Sequence, residues 1–300
     1  MLKVMFLGTS ASVPTKERNT PCLYFEHDYD VRFLMDVGEC CQKSLISYGL
    51  KFMRVNHIFI THWHADHFAG LIGLIQTMGL EGRRKELHIY GPKRSKEFLD
   101  KLLTVGYYNR PYKIEVHELS PGDVVSFERF TITAFKTYHR IPSIGYVFEE
   151  KPIMKANMEK AAKFGLKTGP LIGKLKAGET ITFKGQTIKP EDVIEEVKGL
   201  KVVYTGDTEY NEDMIESIKG ADLLITEATF AEGDKEKYVY HMDLKEAVTL
   251  AKKANVKRLV VTHLSRRYVK EAYDDYVAQL KNMFSDAEVA HDGMEIKLKR

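Results

Sequence analysis

Four apolar runs in this chain each lead into an ionisable side chain: Ile58-Phe59-Ile60 into His62, Val202-Val203-Tyr204 into Asp207, Leu223-Leu224-Ile225 into Glu227, and Val260-Val261 into His263. Short runs rich in β-branched and aromatic residues fit strands covered on one or both faces. Strands side by side in one sheet bring their C-terminal ends to a common edge, where α/β proteins gather their ligands. Groups far apart in sequence then meet in space. The pattern therefore limits both the fold and the place of its chemistry.

Further runs span Lys3 to Leu7, Cys22 to Phe25, Arg32 to Met35 and Phe130 to Phe135. Between the runs lie amphipathic stretches of helical length: Phe68 to Met78, Ser95 to Val105, Asp213 to Lys219, Leu244 to Ala254 and Val269 to Phe284. Strands interleaved with helices predict a layered α/β architecture, and 300 residues at 44% hydrophobic content can fill its core. No run reaches the ~18 to 20 apolar residues of a membrane helix. The start, MLKVMFLGTS, has too short an apolar stretch for a signal peptide and reads as the first strand of a cytoplasmic protein. Cys22, Cys40 and Cys41 make no disulfide framework and read as small buried apolar residues in a reducing compartment.

The net charge of +3 is close to neutral for this length, but its distribution is uneven. From Lys151 to Pro190 nine lysines stand against Glu159 and Glu179, which gives +7 and leaves 3 − 7 = −4 for the other 260 residues. The segment also holds five glycines, a Gly169-Pro170 breaker and no long apolar run, so it is expected to add little core. It reads as a projecting arm suited to a polyanion, with one short helix around Ala156 to Phe164.

Directly after the first run, Thr61-His62-Trp63-His64-Ala65-Asp66-His67 packs three imidazoles and a carboxylate into six positions. In an extended segment His62 and His64, two apart, project to the same side and offer two imidazoles to one metal. Asp66 and His67 begin the next helix and are offset enough to serve a second. Imidazole and carboxylate without thiolate suit zinc and similar divalent ions and leave the metal a strong Lewis acid.

The sequence His62-x-His64-x-Asp66-His67 resembles the HxHxDH signature of the metallo-β-lactamase superfamily. The resemblance implies an α/β fold of the αββα sandwich type, with two zinc ions per subunit at the sheet edge. It implies that His62, His64 and His139 hold one ion, that Asp66, His67 and His263 hold the other, and that Asp207 bridges them. Asp66 would also orient the nucleophile. One catalytic domain would span residues 1–300, with 151–190 inserted as a flexible arm.

Four more segments narrow the family. Pro14-Thr15-Lys16-Glu17-Arg18-Asn19 matches the PxKxRN loop of the transfer-RNA 3′-processing endonucleases known as ribonuclease Z, and Asp36-Val37-Gly38-Glu39-Cys40-Cys41-Gln42 is similar to their DxGEGTQ, with Cys40-Cys41 in place of Gly-Thr. His139 followed by Gly145-Tyr146-Val147-Phe148-Glu149 resembles their HxxxxxGYxxE segment, and Gly169-Pro170-Leu171 with Leu175-Lys176-Ala177-Gly178 resembles part of their tRNA-gripping arm. Two loops depart: Thr226-Glu227-Ala228-Thr229 stands where HEAT is common, and His241-Met242-Asp243 where HST is common.

By this resemblance the chain is a hydrolase that removes 3′ trailers from precursor tRNA, with His241 as general acid and Glu227 holding and charging its imidazole. Lys16, Arg18 and Asn19 in the loop, and Lys163, Lys167, Lys174 and Lys176 in the arm, would contact RNA through phosphate charge and shape. The short form of the family is a homodimer, in which one subunit's arm can hold tRNA cleaved by the other. The competing readings are a superfamily phosphodiesterase acting on small substrates, which needs no arm, and a non-catalytic RNA-binding relative, against which the complete ligand set argues.

Overall fold

The computed structural model of the chain describes residues 1–28, 30–107, 111–235 and 240–300. The first half contains β1 (Leu2–Gly8), β2 (Cys22–His27), β3 (Val31–Met35), α1 (Cys41–Ser47), β4 (Val55–Phe59), a single turn α2 (Ala65–Phe68), α3 (Leu71–Leu80), β5 (Leu87–Gly91), α4 (Ser95–Thr104) and β6 (Ile114–Glu118). The second half opens with β7 (Val124–Ser126), β8 (Phe130–Lys136) and β9 (Ile144–Glu150). An inserted segment follows, with β10 (Ile153–Ala156), α5 (Met158–Lys163), α6 (Pro170–Lys176), β11 (Ile181–Phe183), β12 (Gln186–Ile188), α7 (Pro190–Val193) and β13 (Ile194–Val197). The half resumes with β14 (Lys201–Tyr204), α8 (Ile215–Ile218), β15 (Leu223–Glu227), α9 (Leu244–Lys253), β16 (Leu259–Thr262), α10 (Glu271–Met283) and β17 (Ala287–Val289), and β18 (Glu295–Leu298) comes last.

Among the described residues these strands make two seven-stranded sheets, ordered β18-β1-β2-β3-β4-β5-β6 and β7-β8-β9-β14-β15-β16-β17. Each sheet is antiparallel across its first three pairings and parallel across its last three. The two halves therefore repeat one pattern. The first sheet, however, draws its edge strand β18 from the far end of the chain.

The strict alternation of a strand sends neighbouring side chains to different layers. Phe59 packs between the sheets with Phe33, Phe130 and Phe148, whereas Ile58 and Ile60 pack beneath α1, α3 and α4 with Leu45, Leu74 and Leu99. In the second sheet Val202 and Tyr204 face inward and Val203 faces Leu244, Val248 and Leu280 of α9 and α10. This is why the runs are continuously apolar: each is covered on both faces, in an αββα sandwich. Fully burying one such Val, Leu or Phe contributes roughly 1.5–3 kcal/mol.

Several boundaries differ from the expectations. The helix expected from Phe68 begins at Leu71, after the separate turn α2, and the one expected over Asp213 to Lys219 is a 3-10 turn at Glu212–Met214 followed by the short α8. Cys22 and Cys41 are buried as expected, but Cys40 is exposed, in the left-handed conformation (φ 66°) before α1. The segment from Lys151 to Pro190 was expected to hold little core. It does not extend the main one, yet it closes its own around Ala161, Leu166, Ile172, Leu175, Ile181 and Ile188, completed by Val193 and Ile194. Single apolar residues spaced by lysine and glycine hide this core from any periodicity. Asn157 caps α5 by accepting from the Glu159 and Lys160 amides, Pro170 starts α6, and Lys184-Gly185 (φ 50° and 77°) turn the β11–β12 hairpin.

Candidate metal centre

The chain stays extended past β4, with Thr61 N donating to Asp36 Oδ1 at 2.8 Å, and turns into α2 after His64 (φ −81°, ψ 146°). The turn after β14 lies against Thr61. Gly206 adopts φ 62°, and a Cβ there would stand 2.7 Å from the Thr61 Cβ, so only glycine lets the turn carry Asp207 over the histidines. His263 follows β16, also at positive φ (61°), and Leu264 N donates to Thr9 O at 3.0 Å. The runs ending at Asp207, Glu227 and His263 converge at one edge of the second sheet as expected, but His62 comes from the first sheet, so the groups meet where the two sheets face each other.

Two donor groups share one carboxylate: His62, His64, His139 and Asp207 form the first, and Asp66, His67, Asp207 and His263 the second. His64 Nδ1 stands 3.1 Å from both His62 Nε2 and His139 Nε2. In the second group His67 Nε2 lies 3.5 Å from Asp66 Oδ2 and 3.3 Å from Asp207 Oδ1, while His263 Nε2 lies 3.4 Å and 3.3 Å from Asp66 Oδ2 and Asp207 Oδ2. Ligands about 2.0–2.1 Å from a tetrahedral zinc are separated by roughly 3.3 Å, so these pairs are close to the spacing of a coordination shell, with His62 Nε2 and Asp207 Oδ2 wider at 3.7 Å.

The opposite nitrogen of four ligand rings is held from behind. His62 Nδ1 meets Thr61 Oγ1 at 3.0 Å, His67 Nδ1 meets Asp36 Oδ2 at 2.7 Å, His263 Nδ1 meets Thr229 Oγ1 at 2.9 Å, and His139 Nδ1 donates to Tyr240 O at 3.0 Å. Such partners fix ring orientation and leave the other nitrogen for a metal. Asp36 is the residue that reading for ligands missed. It is fully buried and also accepts from Thr61 Oγ1 and, at 2.8 Å, from Tyr204 Oη. The signal was present, since Asp36 follows the apolar run Arg32 to Met35 just as His62 follows Ile58 to Ile60.

Burial lowers the basicity of His62, His64 and His139, keeping them in the neutral form that binds metal. His67 shifts the other way: burial opposes its charge, but the Asp207, Asp36 and Asp66 carboxylates outweigh it. Asp207 is likewise held ionised, against burial, by His263 and His67. Among the described residues His67 Nε2 and Asp207 Oδ1 are buried without a hydrogen-bond partner. Two such orphaned atoms facing each other are costly unless a cation satisfies both, so the donor set fits metal ions.

Beside this set, His241 Nδ1 bonds Glu227 Oε1 at 2.8 Å, and its ring stacks on His263 at 5.2 Å. Glu227 is buried and fixed by Thr208 N at 2.8 Å, Thr229 Oγ1 at 2.7 Å and Met242 N at 3.2 Å. Burial alone would lower the His241 pKa, but the Glu227 charge and hydrogen bond raise it to about 9. His241 lies two residues before the N-cap of α9, where the Asp243–Glu246 capping box fixes the start of the helix. In the departed HEAT loop, Thr226 Oγ1 pairs with Thr205 Oγ1 at 3.0 Å instead of reaching the site.

The loop expected to touch RNA is anchored inward. Arg18 Nη1 donates to Thr9 Oγ1 at 2.8 Å and Ala290 O at 2.5 Å, with its guanidinium over the Tyr273 ring, and Asn19 Nδ2 donates to Leu7 O at 3.2 Å and Ser44 Oγ at 3.0 Å. These bonds hold the loop so that Ser12 N donates to Asp66 Oδ2 at 3.0 Å. Lys16 is exposed. Lys163, Lys167, Lys174 and Lys176 are exposed too and form no ion pair among the described residues, unlike Lys160 and Lys189, which pair with Glu195 and Glu191.

An αββα sandwich with seven side chains able to hold metal, in two groups that share the Asp207 carboxylate, is the architecture of the metallo-β-lactamase class. The metallo-β-lactamase fold protein YhfI from Bacillus subtilis has the same fold over 98% of both chains (TM-score 0.71, 22% identity). Residues 2–164 match the family model of the Anti-Pycsar protein Apyc1, and residues 192–264 the β-lactamase superfamily domain. A ribonuclease Z from Archaeoglobus fulgidus is 40% identical over 99% of this chain and 98% of its own length. The short form of human tRNase Z superposes with a TM-score of 0.73 at 27% identity, over 99% of this chain and 100% of its own. The chain belongs to the ribonuclease Z family.

Proposed function

We propose that this protein is a zinc-dependent endoribonuclease that cuts precursor tRNA after the discriminator nucleotide, leaving a 3′-hydroxyl on the tRNA and a 5′-phosphate on the trailer. The observation that carries the reading is the His241–Glu227 pair beside two donor groups that share Asp207. The names of the Archaeoglobus relative and the human neighbour support the substrate class. His62, His64 and His139 would hold one zinc, Asp66, His67 and His263 the other, and Asp207 both. Two such ions, when bound, make water a nucleophile near neutral pH and neutralise charge on the phosphate.

The chain's own groups do the rest. Asp66, fixed by Ser12 N, orients the attacking water. Attack on phosphorus breaks the bond to the 3′ oxygen, which needs a proton as it leaves. With Nδ1 committed to Glu227, His241 has Nε2 free to deliver it, and its raised pKa keeps that proton in place at neutral pH. Lys16 and the exposed Lys163, Lys167, Lys174 and Lys176 neutralise RNA phosphates, while Arg18 and Asn19 shape the loop that presents Lys16. The protein acts as a homodimer in the cytoplasm, where the unbridged thiols of Cys22 and Cys41 persist. Among the described residues no helix is long and apolar enough to cross a membrane.

The test is a 3′-extended precursor tRNA incubated with the full chain, with and without chelator, and mapped to the nucleotide. A single cut after the discriminator, lost on chelation and restored by Zn2+, is expected. Hydrolysis of a small phosphodiester with the precursor left intact would instead make the protein a small-substrate phosphodiesterase.

A further inference from the structure

A second histidine cluster lies on the neighbouring strands β5 and β6, which carry none of the donors of the metal centre. His88 enters β5 one residue after its start, and Glu115 and His117 occupy β6. In the parallel register His88 faces Glu115 and Tyr90 faces His117, so the three polar side chains share the inner face of the sheet. There the apolar filling gives way to Phe127 and solvent. None of the three belongs to the donor set at the C-terminal ends.

The geometry points to a third metal site, formed by His88 Nδ1, His117 Nε2 and Glu115 Oε2 and suited to a zinc-class divalent ion. The two imidazole nitrogens stand 3.2 Å apart, and the carboxylate oxygen lies 3.5 Å from His88 and 3.9 Å from His117. These edges approach the roughly 3.3 Å of one tetrahedral face around zinc. Exposures of 25%, 38% and 34% for His88, His117 and Glu115 leave the remaining position open to water.

The surroundings fix the ligands. His57 stacks on His88 at 5.2 Å and 14°, and Tyr90 stacks on His117 at 4.6 Å and 17°, so each imidazole is braced on one face by an inner ring. Glu86 Oε2 stands 3.6 Å from His88 Nε2, on the side away from the proposed ion, where a carboxylate partner orients a ligand ring. Lys113 takes the other oxygen of Glu115 and also pairs with Glu86 at 2.8 Å, which turns Oε2 towards the histidines. The ion would clip edge strand β6 to β5, and it requires nothing of the hydrolytic reading.

The measurement is metal content per chain after dialysis of the full protein against Zn2+ and then buffer. Wild type is expected to retain one more ion than His117→Ala, with precursor cleavage unchanged. The isosteric Glu115→Gln is expected to weaken that ion's binding at least tenfold in a Zn2+ titration, in the range typical of lost metal-site partners. Equal metal content in wild type and both variants, or an extra ion that survives both, overturns the site.

Discussion

The two halves of the sandwich repeat one strand pattern but supply the metal centre in opposite ways. The first half spends four donors, His62, His64, Asp66 and His67, on one turn after β4, backed by the single buried carboxylate Asp36. The second half offers His139, Asp207 and His263 singly, after β8, β14 and β16, and adds the pair of Glu227, at the end of β15, and His241, before α9. A compact turn is a local structure that survives small changes elsewhere. Donors on separate strands depend on the whole sheet, and one of them, Asp207, serves both groups. The second half therefore holds the more vulnerable position.

Asp207→Ala tests that contrast most severely. Metal analysis should show both donor groups weakened at once and cleavage abolished, whereas His64→Ala should spare the group it does not join. If the two variants lose metal equally, the halves are not functionally distinct. His241→Ala should keep its metal and lose about 10²–10⁴-fold in kcat, the range for a removed general acid. Glu227→Gln sharpens this point through pH. Glu227 is what lifts His241 to about 9 against the effect of burial, so without its charge the imidazole loses its proton earlier. The alkaline limb of the rate profile should then move to lower pH, and an unmoved limb would remove His241 from the acid role.

On the first half, Asp36→Asn removes one backing carboxylate and should weaken metal binding or activity by about 10–100-fold, concentrated in the His67 group. The smallest effect is expected at Cys40. There φ 66° puts a side chain where the similar family motif has glycine, a conformation that costs a non-glycine residue about 1–2 kcal/mol. Because glycine also loses more chain entropy on folding, Cys40→Gly should raise stability by no more than about 1 kcal/mol, read as a higher denaturant midpoint.

These asymmetries explain what the sequence made legible. The runs ending at Ile60, Tyr204 and Val261 are apolar throughout because both faces are covered, and they were readable with the ionisable residues that follow them. The strands Leu87–Gly91 and Ile114–Glu118 alternate apolar residues with His88, Tyr90, Glu115 and His117, because the face these four share passes from the core at Tyr90 to half-exposed ground at the other three, and no apolar run marks them. Arg18 and Asn19 were legible as a motif but not in direction, since a polar side chain in a loop can face water or the backbone of a neighbour. Only the fold shows that Leu7 O, Ser44 Oγ, Thr9 Oγ1 and Ala290 O claim them.

Strand β18 gives the repeat pattern a bearing on the timing of synthesis. It completes the first sheet by pairing with β1, and Arg300 just beyond it binds Glu150 of β9, which in turn holds His27 of β2 at 2.8 Å. A ribosome that has finished the first half has made the whole histidine turn, but neither Asp207 nor the strand that closes its own sheet. The histidine turn thus waits for Asp207, and the first sheet for β18, before either is complete.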